Sequence, residues 1–79
     1  MISERLAAVI RRTLRVEGVE LQPSTRASEV PGWDSLAHVR VLAAVEEEFG
    51  VRFATLEVLR LANVGQLQAL LEKKLGRAP

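Results

Sequence analysis

The sequence contains no cysteine and a single histidine, His38. The first absence excludes disulfide staples, and the two together leave no ordinary ligand set for a metal. A chain of 79 residues without such staples rests on packing alone, so its stability is expected to be marginal. No apolar run approaches the roughly 20 residues that span a bilayer. The start, MISERLAAVIRR, lacks a basic leader, an apolar centre and a small-residue cleavage site in that order. These absences lead us to expect a cytoplasmic protein, complete from Met1, with no membrane partner. A formal net charge of +1 is too small to argue for nucleic acid, because binding to phosphates depends on clustered excess charge. Strand signals are scarce too: VRF at 51–53 is the one β-like run and has no partner of its type.

Nearly half of the residues are apolar, and they recur at helical spacing. One domain over 1–79 is expected, since so short a chain cannot divide its apolar surface between two cores. Ser3 is placed to cap a first helix with Glu4 near its positive end. Leu6, Val9, Ile10 and Leu14 form the apolar face of that helix, and Gly18 ends the pattern. Residues 18–33, GVELQPSTRASEVPGW, read as a long loop with Leu21, Val30 and Trp33 as anchors. A second helix starts at Asp34 or Ser35 and runs to about Phe49. Leu36, Val39, Leu42, Val45 and Phe49 mark its face and Gly50 stops it. Thr55 caps a short third helix through about Leu61. Asn63 caps a fourth, with Val64, Leu67, Leu71 and Leu75 on one side and Gly76 at its end. The predicted fold is all-α: a four-helix bundle with a long loop after helix 1 and a short third helix. No repeat or low-complexity segment is apparent.

The stretch PGWDSLAHVRV, residues 31–41, sets Ser35 where a turn runs into the second helix. A hydrolase elbow would need glycines around the serine, a strand before it, and an acid and a histidine across a much larger sheet. His38 is three residues on along the same helix, so Ser35 is not read as a catalytic nucleophile and no residue is read as catalytic. Taken alone, Asp34-Ser35 is a helix start. If Ser35 is itself the cap, its replacement by alanine would cost about 0.5–2 kcal/mol.

DSL at a helix start, the apolar stripe behind it, EEEFGV at 46–51, and then a short helix followed by NVGQLQALL together resemble the acyl carrier protein family. The match runs over nearly the whole chain in order and spacing. It implies that Ser35 is the attachment point for 4′-phosphopantetheine, added from coenzyme A by a separate phosphopantetheinyl transferase. The position suits a phosphodiester, which at the first turn of a helix meets free amides and the positive end of the dipole. A carrier of thioesters needs a thiol, and a cysteine-free chain obtains one only from a prosthetic group. The same resemblance gives Asp34, Leu36 and Val39 as partner contacts, with Glu46, Glu47 and Glu48 as carboxylates that meet basic patches on partners. Each has a plainer reading: Asp34 as N-cap, Leu36 as core, the glutamates as a solvated face. Carboxylates so near a helix C-terminus oppose the dipole, which suggests another purpose.

The resemblance thins where fatty-acid carriers are acidic two and five places after the serine, since Ala37 and Arg40 stand there. The third helix, TLEVLRLA, is apolar and partly basic. An arginine-bearing partner would lose contacts and meet Arg40. These departures fit a freestanding, monomeric carrier of secondary metabolism, polyketide or nonribosomal peptide, loaded by its own ligase or transferase and served by downstream synthase or tailoring enzymes. The rival reading is a helical protein-interaction or DNA-binding domain without a prosthetic group. It draws on Arg5, Arg11, Arg12 and Arg15, which gather away from the apolar face of the first helix. Against DNA binding, the best-formed internal helix ends in three glutamates. Trp33 and Phe49 are read as core or loop anchors.

Overall fold

The computed structural model describes residues 3–76; the expected chain start at Met1 lies outside them. The elements in order are α1 (Glu4–Leu14), a 3-10 turn (Ala27–Glu29), α2 (Ser35–Phe49), α3 (Thr55–Leu59) and α4 (Val64–Lys74). The described residues include no strand, and VRF is irregular chain. The all-α prediction therefore holds, with the long loop after the first helix and the short third helix in their expected places.

Helix α1 starts as its sequence suggests, with the Ser3 hydroxyl accepting from the Leu6 amide at 3.2 Å. It stops earlier than the apolar pattern implied. Arg15, not Gly18, closes it in a left-handed conformation with φ 59°, and the Val16 amide turns back to the Arg11 carbonyl at 3.1 Å. This is a Schellman-type ending on a residue other than glycine.

The core takes Leu6, Ala7, Val9 and Ile10 from α1, Val41 and Val45 from α2, and Val64, Leu67 and Leu71 from α4. The loop adds Leu21, Val30 and Trp33. Each large aliphatic side chain buried in this way stabilises the fold by about 1.5–3 kcal/mol relative to exposure. The most extensive helix contact is between α1 and α2. Along their edge Arg5 donates to the Glu48 carboxylate at 3.0 Å and lies 4.6 Å over the Phe49 ring. Arg12 reaches the same carboxylate at 3.7 Å, and Arg11 donates to the Val19 carbonyl at 2.8 Å. Three of the four arginines in the α1 stripe are thus engaged inside the fold.

The predicted face of α2 needs correction. Leu36 and Val39 are each 63% exposed, because at 3.6 residues per turn they lie roughly 140–160° around the helix from Val41. Leu42 and Phe49 flank the buried line as half-buried neighbours. The spacing of threes and fours had joined positions belonging to two separate lines. Leu75 is likewise 45% exposed, beyond the last turn of α4. Thr55 does not cap α3: Ala54 is the N-cap residue, and Glu57 accepts from the Ala54 amide at 2.8 Å. The helix ends at Leu59 instead of Leu61.

The loop is held by the start of α4. The first amides of a helix have no partner within it, and here Val64 N–H donates to the Thr25 carbonyl at 2.8 Å and Gly65 N–H to the Pro23 carbonyl at 2.9 Å. Asn63 takes the Gln66 amide at 2.9 Å, as its capping role predicts. The approach is so close that a Cβ on Gly65 would stand 2.7 Å from the Pro23 carbonyl oxygen and 3.0 Å from its Cα. Backbone on both sides leaves little room to give.

At the far end of the loop Trp33 Nε1–H donates to His38 Nδ1 at 3.0 Å, with the ring centroids 5.9 Å apart. That nitrogen must be unprotonated to accept. Burial pushes the His38 pKa below its ordinary value, in agreement with the geometry.

Two tests follow from these contacts. Gly65→Ala should lower stability in urea titrations by at least about 1 kcal/mol, although helix propensity alone would raise it by about as much; a stabilised variant would contradict the close approach. The unfolded chain protonates His38 near pH 6.5, whereas the native state does so only at lower pH, so acid favours unfolding. Stability followed by Trp33 fluorescence should hold above about pH 6.5 and decline below it, and His38→Ala should flatten that decline.

Candidate functional site

Four local devices build the start of α2. Pro31-Gly32 turns the chain, with Gly32 at φ 84°, a conformation that a side chain makes costly. Trp33 N–H donates to the Val30 carbonyl at 3.2 Å, and its ring is buried and tied to His38. Asp34 then caps the helix, its carboxylate accepting from the Ala37 amide at 2.8 Å while its carbonyl accepts from the His38 amide at 2.8 Å.

Ser35 is the first residue of α2, not its cap, and is exposed. Ser35 lines an open groove together with Ala27, Ser28, Trp33, Asp34, His38 and Leu61. Behind the groove lies an apolar cavity of about 30 Å³, lined by Trp33, His38, Leu61, Val64 and Leu67 among others. An anionic group attached to Ser35 would sit at the positive end of a helix of 15 residues, where the dipole and first-turn amides favour negative charge. The residues present therefore fit a phosphodiester at this hydroxyl. No group of metal-ligating side chains forms among the described residues.

The structure separates the other candidates. Leu36, Val39 and Arg40 point outward from the same two turns as Ser35. The glutamate run at the far end of α2 is divided by its contacts. Glu46 accepts from the Phe53 amide at 2.8 Å, which anchors the approach to α3, and Glu48 pairs with Arg5 and Arg12. Glu47 alone of the three is exposed. Sequence reasoning missed the Trp33–His38 bond and the place of Leu61 beside Ser35, because neither follows a spacing rule. It also missed the exposure of Leu56 and Leu59, at 68% and 72%. Three of the five residues of α3 are apolar, Leu56, Val58 and Leu59, more than one face of so short a helix can bury, which is the signal the sequence offered.

The family model for the phosphopantetheine attachment site matches residues 4–76. The acyl carrier protein of Helicobacter pylori is 33% identical over 69 residues, covering 87% of this chain and 88% of that protein. Acyl carrier protein MbtL of Mycobacterium tuberculosis is 30% identical over 73 residues, covering 92% and 87%. The solution structure of holo acyl carrier protein from Geobacter metallireducens superposes with a TM-score of 0.88 at 32% identity, over 94% of this chain and 85% of that one. With its fold, helix start and sequence in agreement over nearly its whole length, this chain belongs to the acyl carrier proteins, non-catalytic carriers that hold 4′-phosphopantetheine covalently after a separate transferase has added it.

Proposed function

We infer that Ser35 is the residue that receives 4′-phosphopantetheine, and that the chain presents an acyl or aminoacyl group to enzymes of a polyketide, nonribosomal peptide or related secondary-metabolite pathway. The observation that carries the first half is the division of labour at the helix start. Asp34 supplies the cap, so the exposed hydroxyl of Ser35 has no capping duty and is open to a modifying enzyme. Once attached, the arm supplies the thiol that this cysteine-free chain lacks, for holding cargo as a thioester.

The chain's own residues do the rest. Asp34, Gly32 and the Trp33–His38 bond hold the attachment point rigid, while the groove beside Ser35 leaves the arm a way into solvent. The pathway half rests on Ala37 and Arg40 standing where fatty-acid carriers bear carboxylates. A partner that reads a continuous acidic helix would meet a like charge at Arg40.

Intact mass after incubation with coenzyme A and a broad-specificity transferase should rise by one phosphopantetheine, and Ser35→Ala should gain nothing. Because Asp34 is the cap, Ser35→Ala should keep its stability within about 0.5 kcal/mol, less than a capping serine would lose, whereas Asp34→Ala should lose about 0.5–2 kcal/mol. Modification of the Ser35→Ala protein, or no mass gain on the parent, would sink the assignment, and equal destabilisation by the two variants would contradict Asp34 as the sole cap.

A further inference from the structure

Two helices carry the same short pattern: Leu36, Val39 and Arg40 on α2, and Leu56, Leu59 and Arg60 at α3. Positions i, i+3 and i+4 share one helix face, so each helix sets an apolar pair beside an arginine. All four apolar residues are more than 60% exposed, and both arginines are exposed. Leu61, directly after Arg60, lines the same groove as Ser35, which brings the end of α3 to the start of α2.

Internal pairing takes up part of the negative charge of α2 and α3. Glu57, the one carboxylate of α3, is held by Lys74 at 2.8 Å, which lowers its pKa. Glu46 and Glu48 are engaged as described, Asp34 is exposed and accepts from the Ala37 amide as the cap, and Glu47 is exposed at the far end of α2. Neither Arg40 nor Arg60 has an ion-pair partner among the described residues. A sequence with three successive glutamates in α2 thus presents arginine beside exposed leucine and valine around its serine.

We propose that this end docks on a partner enzyme whose receiving surface is apolar and acidic, with Leu36, Val39, Leu56 and Leu59 entering the apolar part and Arg40 and Arg60 meeting carboxylates. The inference rests on the carrier reading and deepens it by giving the chemistry of the partner. A second copy of the chain is a poor occupant, since it would bring arginine to arginine. Complementary charge steers encounter and fixes register, while like charges set face to face are rejected.

The test uses the full chain and two phosphopantetheinyl transferases, each first shown active on its own carrier: one with arginine and lysine on its docking face, one with carboxylates around an apolar docking face. The parent should be modified by the acidic-faced enzyme with a kcat/KM about tenfold higher relative to that enzyme's own carrier. The double variant Arg40→Glu/Arg60→Glu, with its helical circular dichroism retained, should reverse that preference. Lys73→Glu, on the exposed last turn of α4, should leave it unchanged. Modification by neither enzyme would overturn the carrier reading itself. Modification by both with a preference that Arg40→Glu/Arg60→Glu does not move, or that Lys73→Glu moves equally, would overturn the docking chemistry alone. So would a concentration-dependent dimer in sedimentation that Leu36→Glu abolishes.

Discussion

The structure depends on how the loop between α1 and α2 is captured by the first turn of α4. A small chain with no cross-links must order sixteen residues, 18–33, that form only short turns of their own, at a backbone cost of about 1–2 kcal/mol each. The capture solves two problems with the same atoms. The open amides of Val64 and Gly65 find the Thr25 and Pro23 carbonyls, and the loop is drawn close enough for Leu21, Val30 and Trp33 to enter the core. Gly65 permits this because it carries no Cβ to strike Pro23. Without that contact, Trp33 and the turn before α2 would lack a fixed position, and with them the serine.

From there the site follows by short steps. Trp33 is buried and bonded to His38, which joins the loop to the second turn of α2. Asp34 caps the helix, and Ser35 stands one residue further on, exposed at the positive end of the dipole. Bonds behind the serine and openness in front of it suit the role proposed for Ser35, to be reached by a modifying enzyme and then to carry a flexible arm. The far end of α2 is fixed separately, by Arg5 and Arg12 on Glu48 and by Glu46 on the Phe53 amide. Those contacts give the glutamates near a helix C-terminus a structural purpose that offsets their unfavourable place in the helix dipole.

The charge seen by a partner is therefore not the charge written in the sequence. Arginines of α1 are consumed by Glu48 and by the Val19 carbonyl, and the carboxylate of α3 by Lys74. What is left outside, around Ser35, is a mixture of exposed aliphatic side chains and arginine beside the carboxylate of the Asp34 cap. This explains why reading the α2 glutamates as one recognition patch and the α1 arginines as one basic stripe gives equally incomplete pictures.

The sequence by itself determined the helices, the stops at Gly50 and Gly76, the caps at Ser3 and Asn63, and the helix start that marks the family, because these depend on neighbours within a turn or two. Local rules sufficed there. They did not suffice for Thr55, where the reciprocal bond from Glu57 made Ala54 the cap, or for Gly18, which Arg15 forestalled. Only the tertiary structure decided which apolar line of α2 faces inward, since Leu36 and Val41 are equally apolar and differ only in what lies opposite. The same holds for Asp34 rather than Ser35 as cap, for His38 as the acceptor of Trp33, and for which charges remain free. The Asp34 cap and the Trp33–His38 bond close within five residues, but which apolar line faces inward and how Glu48 and Glu57 are paired are decided by partners far away in the chain.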